Sequence, residues 1–288
     1  MHPRLLKPME GKTVVITGAT SGIGQVSTET LAQMGARIVF VARDKARADA
    51  TLARLSRAGP NASHSVHFAD LMRLAEIKRV AGEIAEQEPK IDVLINNAGA
   101  IFAARRVTDD GLERTFALNH MSYFLLTVGL RERLVATGGA RIVNTASAAH
   151  QGAILDFDDL QSAKNFRAIR AYSRSKLCNI LFTRELARRL RGTGVTTNCL
   201  HPGFVATRFG DETGGLLSAV TRVAKLFAIS PAKGAETIIY LASSPTVANI
   251  TGLYFHECQP VKPSPAAMDD HAALVLWQRS AALAGIPA

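Results

Sequence analysis

Thr13-Val-Val-Ile-Thr-Gly-Ala-Thr-Ser-Gly-Ile-Gly24 joins a short apolar strand to three glycines, Gly18, Gly22 and Gly24, spaced Gly-x-x-x-Gly-x-Gly. A helical pattern then runs from about Gly22 to Met34. Glycines let a chain turn tightly and let backbone N–H groups approach a pyrophosphate at the positive end of a helix. A glycine triplet alone is weak evidence for such a site, but a strand before it and a helix after it are the context that gives it weight. Thr20, Ser21 and Ile23, inside the same turn, are therefore candidate cofactor contacts together with the three glycines.

Outward from this turn, strand-like runs alternate with helical segments. Arg37–Ala42, Ser65–Phe68, Asp92–Ile95, Arg141–Thr145 and Val195–Leu200 read as strands. Helical patterns run from beyond Ala42 through Leu55, from about Leu71 to Gln87, from the fourth strand to near Thr137, and from Ala171 to Leu190. Short continuous apolar runs suit strands buried on both faces. Their alternation with helices implies right-handed crossovers and a Rossmann-like α/β fold with a doubly wound parallel sheet. No repeat, low-complexity tract or linker divides the chain, so a single domain over residues 1–288 is expected. Two segments break the rhythm, Gln151 to Arg170 and Phe204 to Ser230. The second carries Leu216, Leu217, Val220, Val223, Ala224 and Phe227, and reads either as a surface helix packed on the core or as an apolar lid over a substrate.

The 288 residues are 47% apolar and 20% charged, ample for a core without disulfides. Cys178, Cys199 and Cys258 are widely spaced and odd in number, which fits free thiols in a reducing compartment. No apolar run is long enough to span a bilayer, and the first residues lack a signal-peptide core, so a cytoplasmic protein without a transmembrane anchor is expected. The net charge of +10 comes from scattered basic residues. Arg184, Arg188, Arg189 and Arg191 read as a solvated helix face, and no nucleic-acid motif accompanies them, so nucleic acid is not an expected partner.

Arg43 follows the second strand, 19 residues after Gly24. An NAD site places an acidic residue near this point to hold the ribose hydroxyls. Ala42 leaves room there, and Arg43 offers a planar donor fork suited to a 2′-phosphate, with Lys45 and Arg47 adding charge. NADP(H) is expected over NAD(H), with Asp44 as a competing ribose ligand. Asp70, after the third strand, is placed either to accept from an adenine amino group or to cap the helix that begins at Leu71. His150 and His201 lack a second ligand at helical spacing and read as local hydrogen-bonding residues rather than metal ligands.

Tyr172 and Lys176 stand four residues apart on one helix, hence on one face. A free phenol titrates near pH 10. A neighbouring ammonium favours phenolate and lowers that value, which suits Tyr172 to exchange a proton with a carbonyl or alcohol oxygen. Ser147, at the end of the fifth strand, is placed to hydrogen-bond the same oxygen.

Thr17-Gly18-x-x-x-Gly22-Ile23-Gly24, Asn96-Asn97-Ala98-Gly99, Asn119, Ser147, Tyr172-x-x-x-Lys176 and Pro202-Gly203 occur in the order and at the spacings of the short-chain dehydrogenase/reductase family, which the chain resembles from about Lys12 to Phe255. Arg141-Ile-Val-Asn, Asp159-Leu-Gln, Tyr172-Ser-Arg-Ser-Lys-Leu-Cys-Asn-Ile-Leu-Phe182, His201-Pro-Gly203 and Lys262-Pro-Ser-Pro265 resemble its retinol-dehydrogenase-like and WW-domain-oxidoreductase-like branch. The resemblance implies that Lys176 also holds the nicotinamide ribose, and that Asn119 interrupts its helix and holds a water in a proton relay. It implies that Asn97, Ala98 and Gly99 hold the fourth strand's end against the cofactor. Leu71, Tyr172, Pro202, Gly203, Val205 and Thr207 would complete the dinucleotide site, Thr207 alternatively being a helix cap. It also implies self-association, since family members often pair through the long helices after the fourth and fifth strands. The expected function is hydride transfer between NADP(H) and a carbonyl or alcohol of a lipophilic small molecule. The alternative is a dinucleotide-binding regulatory or scaffold protein with little turnover.

Overall fold

A computed structural model describes residues 7–203 and 229–288. Eight strands form one sheet: β1 (Thr13–Thr17), β2 (Arg37–Ala42), β3 (Ser65–Phe68), β4 (Val93–Asn96), β5 (Arg141–Thr145), β6 (Thr196–Leu200), β7 (Tyr254–His256) and β8 (Gln259–Pro260). Their order is β3-β2-β1-β4-β5-β6-β7-β8, with every pair parallel except the last. The order reverses between β1 and β4, and the crevice above that switch point is where an open α/β sheet binds ligands.

The helices are α1 (Gly22–Gln33), α2 (Lys45–Ala58), α3 (Leu74–Gln87), α4 (Arg114–Phe116), α5 (Ser122–Gly129), α6 (Arg131–Thr137), α7 (Ala168–Arg189), α8 (Pro231–Ser243) and α9 (Asp270–Ala284). Strand side chains alternate between the two faces. Val14 and Ile16 join Leu31, Leu55 and Ile238 of α1, α2 and α8. Val15 faces the other way and belongs to the cluster of Ile77, Phe124, Leu181 and Leu276 from α3, α5, α7 and α9. Both faces are thus covered, which is why the strands read as continuous apolar runs. A buried polar chain crosses the second face. Asn96 Nδ2 donates to Thr127 Oγ1 at 3.0 Å and to Asn144 Oδ1 at 2.9 Å, and Asn144 Nδ2 donates to Thr183 Oγ1 at 3.0 Å.

The helix expected from Leu71 starts three residues later, at Leu74. Asp70 Oδ1 accepts from Met72 N in a turn that precedes the helix, and Asp110, from a distant loop, accepts from Leu74 N at 2.9 Å. Asp70 is therefore a turn residue, with no side-chain bond to the helix itself. The helix carrying Tyr172 begins at Ala168, almost a turn earlier than its expected start at Ala171. The helical stretch expected after β4 is interrupted by a five-residue π-helix, Ala117–Met121, that holds Asn119.

The C-terminal α9 lies across α5 and α7, the helices implied for self-association. Trp277 stacks on Phe182 (centroids 5.9 Å apart, 17°) and meets Phe124 edge-on at 5.0 Å. The Arg189 guanidinium sits 4.3 Å above the indole, and Arg184 and Arg188 both reach Asp270. The buried His120 bonds Ser280 Oγ at 2.8 Å, and burial lowers its pKa to about 3, so its imidazole is neutral. Among the described residues, no helix is long and apolar enough to cross a membrane. Trp277→Ala would open a cavity between three packed elements. It should cost about 3–5 kcal/mol of stability, read from denaturant midpoints at constant m-value.

Candidate active site

The cradle at the end of β1 follows from its glycines. Gly18 (φ +74°) and Gly22 (φ +57°) adopt a left-handed backbone. A Cβ on Gly24 would overlap the Gly18 carbonyl oxygen and lie 2.5 Å from Asn97 Nδ2. Ser21, in the N-cap position of α1, makes no side-chain cap. The first N–H groups of α1 thus lack the side-chain acceptor that caps many helices, leaving them suited to an anion. The dinucleotide implied by the sequence fits this cradle. The wall of the cradle comes from β4. Asn97 N and Ala98 N both donate to Thr17 Oγ1, at 3.0 and 3.1 Å, and Asn97 Nδ2 donates to the Thr17 and Gly18 carbonyls at 3.3 Å each.

At the end of β2, Arg43 and Asp44 are both exposed. Asp44 is the N-cap of α2, its carboxylate accepting from Arg47 N at 2.8 Å. The Arg43 side chain projects from the last position before that cap. Leu71 is buried beside the Asp70 turn at the end of β3.

Four elements bring the remaining predicted residues together. Ser147 leaves β5 in an extended conformation (φ −162°, ψ 151°) and its Oγ accepts from Ala149 N at 3.1 Å, capping the short 3-10 turn Ala148–His150. The Ser147 hydroxyl lies close enough to the Tyr172 phenol to favour its ionised form. Lys176 is buried one turn further along α7, and its Nζ donates to the Thr145 carbonyl at 2.8 Å. Its ammonium lies 5.7 Å from the Tyr172 ring centroid and 5.6 Å from that of Tyr123. Asn119 is held on both sides: its Oδ1 accepts from Ala100 N, and its Nδ2 donates to Ala100 O and Ser175 Oγ, all at 2.9–3.0 Å. Gly99 faces the same space, since a side chain there would come within 3.2 Å of Asn119 Oδ1 and 3.5 Å of Lys176 Nζ. Pro202 and Gly203 follow β6, and Gly203 has a left-handed backbone (φ +85°). Val205 and Thr207, with most of the expected Phe204 to Ser230 lid, lie outside the described residues.

Sequence reading leaves out five residues that hold this arrangement. Thr17 and Thr145 end β1 and β5, Ser175 links Asn119 to the Tyr172 carbonyl, Asn179 Nδ2 donates to Thr145 O at 3.2 Å, and Tyr123 supplies a ring below Lys176. Ser175 and Asn179 carried a signal in their place on the Tyr172–Lys176 helix, and Thr17 in its place at the head of the glycine motif.

The electrostatics differ from the simple phenol–ammonium pair. Burial pushes the Tyr172 phenol up to about 12, against the Ser147 hydroxyl, which pulls it back. Burial also draws the Lys176 ammonium down to about 7. Desolvation outweighs the other influences at both groups. His201, after β6, stacks on His256 at 3.9 Å and on Tyr254 at 5.3 Å, and burial lowers its pKa to about 4. Both imidazoles and His150 lie outside any metal-binding group among the described residues. Cys178 and Cys199 are buried free thiols whose ionisation burial opposes.

Residues 12–214 of the chain match the family described as short chain dehydrogenase. The chain belongs to this family. It is 41% identical to retinol dehydrogenase 14 of Mus musculus over 96% of this chain and 87% of that protein. It is 38% identical to retinol dehydrogenase 12 of Homo sapiens over 96% and 88%. Among solved structures, an uncharacterized protein from Mycobacterium paratuberculosis superposes with a TM-score of 0.76 at 30% identity, covering 96% of this chain and 94% of that one. Pseudomonas aeruginosa RhlG, solved in an NADP active-site complex, superposes with a TM-score of 0.69 at 26% identity over 87% and 96%. Family and relatives together support a dinucleotide-dependent oxidoreductase with a small-molecule substrate.

The buried lysine gives a prediction whose sign is fixed. Its pKa is about 7 folded, against an ordinary 10.5. The unfolded chain therefore binds the extra proton between these values, and stability falls as pH drops from 10.5 to 7. Below pH 7 the full cost of burying the charge is present. Lys176→Met should abolish turnover yet raise Tm relative to the parent, by more at pH 6 than at pH 9. Calorimetry at the two pH values checks this.

Proposed function

We propose that this chain is an NADP(H)-dependent oxidoreductase that interconverts a carbonyl and an alcohol on a lipophilic small molecule, with Tyr172 as the acid/base. The observation that carries the reading is the meeting of Tyr172 with Ser147 at the end of β5, with the buried Lys176 one turn along the same helix. Bound nicotinamide supplies or accepts the hydride. Gly18, Thr20, Ser21, Gly22, Ile23 and Gly24 would cradle its pyrophosphate, and Asp70, Leu71, Asn97, Ala98, Gly99, Pro202 and Gly203 would line the rest of its site; the sequence resemblance adds Val205 and Thr207, which lie outside the described residues.

In reduction, the Tyr172 O–H donates its proton to the substrate oxygen as the carbon–hydrogen bond forms, leaving phenolate. The Ser147 hydroxyl hydrogen-bonds the same oxygen and favours the phenolate. Lys176 then returns a proton toward Tyr172. A pKa of about 7 places this lysine in the middle of its titration near neutrality, the condition under which a relay exchanges protons most readily. Asn119, fixed by Ala100 and Ser175, borders the lysine and anchors the route to solvent. In oxidation the same groups act in reverse.

Two observations support NADP(H) over NAD(H). Asp44 is engaged in capping α2, while Arg43 remains exposed at the ribose end of the crevice. RhlG, similar in fold, is described with NADP. The relatives described as retinol dehydrogenases support a long apolar alcohol or its carbonyl as substrate class.

Tyr172→Phe should reduce kcat by about 10²–10⁴-fold while NADPH binding, followed by its fluorescence, is unchanged. The assay is NADPH oxidation against a panel of aromatic, aliphatic, terpenoid, steroid and retinoid carbonyls. Tight NADPH binding by the parent without turnover across the panel would support the regulatory alternative. Arg43→Ala should raise KM for NADPH about 10–100-fold and leave KM for NADH unchanged, since one charge-assisted contact to the 2′-phosphate is lost.

A further inference from the structure

The imidazole of His150 is completely buried at the rear of the Ser147 turn. Its Nδ1 lies 2.7 Å from the Ser147 carbonyl oxygen, which also accepts from the His150 backbone N–H at 3.1 Å. Ring and backbone of one residue thus grip a single carbonyl. On the far side, Ser264 N donates to Nε2 at 3.1 Å. A backbone amide can only donate, so Nε2 carries the lone pair and the proton resides on Nδ1, where Ser147 O accepts it. Tyr254 of β7 packs edge-on against the ring at 5.0 Å, its hydroxyl 3.4 Å from Nδ1. Three segments distant in sequence, at 147, 254 and 264, therefore meet on this ring.

We propose that His150 is a positioning residue for Ser147, its neutral Nδ1–H tautomer bracing the serine's turn against the Lys262–Pro265 segment. The proposal rests on the reading of Ser147 as the hydroxyl that meets the substrate oxygen. Ser147 has one side-chain bond to its own turn, to Ala149 N, and its hydroxyl stands near the Tyr172 phenol. The direction of its Oγ is set by where its backbone stands, and that backbone is tied down through its carbonyl by His150. A shift of about 1 Å in a group that contacts the reacting atoms can lower a rate about 100-fold.

The two amide replacements separate the two ends of the ring. In His150→Asn, Nδ2 occupies the place of Nδ1 and keeps the bond to Ser147 O. In His150→Gln, the amide reaches toward Ser264 and that bond is lost. With NADPH and 4-nitrobenzaldehyde, His150→Gln should lower kcat about 10–100-fold with KM for NADPH unchanged, and His150→Asn should stay within about threefold of the parent. In a Ser147→Ala background, His150→Gln should have no further effect. Equal losses in both variants, tracking Tm, would show a packing role only and overturn the proposal. So would an undiminished effect in the Ser147→Ala background. If Ser147→Ala itself leaves kcat unchanged, it is the role of Ser147 that fails. If the parent does not turn over this aldehyde, ¹H–¹⁵N spectra of the ring still decide. The Nδ1–H tautomer is expected, and the Nε2–H form would refute the brace.

Discussion

The carbonyl of Thr145, the last residue of β5, accepts Lys176 Nζ at 2.8 Å and Asn179 Nδ2 at 3.2 Å. These two bonds seat α7 on the end of the central sheet, and the rest of the site depends on that seating. Tyr172 and Lys176 come from the helix, and Ser147 from the strand two residues beyond the shared carbonyl. A slip of α7 by one residue would rotate its side chains by about 100° and scatter the group. The polar chain from Thr127 through Asn96 and Asn144 to Thr183 holds the same helix against the same strands one layer deeper. Buried bonds of this kind favour one register over its neighbours.

Cofactor cradle and catalytic group are built on different principles. The cradle is backbone, glycines and an uncapped helix end, joined to β4 by Asn97 and Thr17. The proposed catalytic group is side chain, and Asn119, Tyr172 and Lys176 are buried at an energetic cost that their hydrogen bonds only partly offset. Lys176 held near a pKa of 7 and Tyr172 near 12 both show that cost. Stability and activity pull in opposite directions at these positions, as is common where a site must keep a group poised between protonation states.

Much of this was legible in the residues. β1, β2, β3 and β5 coincide with the expected strands because continuous apolar runs have few alternatives in a sheet covered on both faces. The Tyr172–Lys176 spacing and the glycine turn carried their geometry with them, because both are local. What escaped the reading was non-local. The start of α3 is set partly by Asp110, 36 residues away from Leu74. The capping role of Asp44, which bears on the choice between NADP and NAD, depends on where α2 begins. His150 read as a local hydrogen-bonding residue, and it does bond Ser147, but its second partner lies 114 residues on. The pKa values of Tyr172 and Lys176 follow from burial, a quantity that spacing along a helix does not contain.

The placement of α9 has a consequence for how the chain is made. During synthesis residues emerge in order, and the α5 and α7 faces are complete about 90 residues before Trp277 leaves the ribosome. Phe124 and Phe182, which pack against Trp277 in the finished fold, wait for that last partner through the interval. A chain cut short before α9 would leave both aromatic rings without that cover.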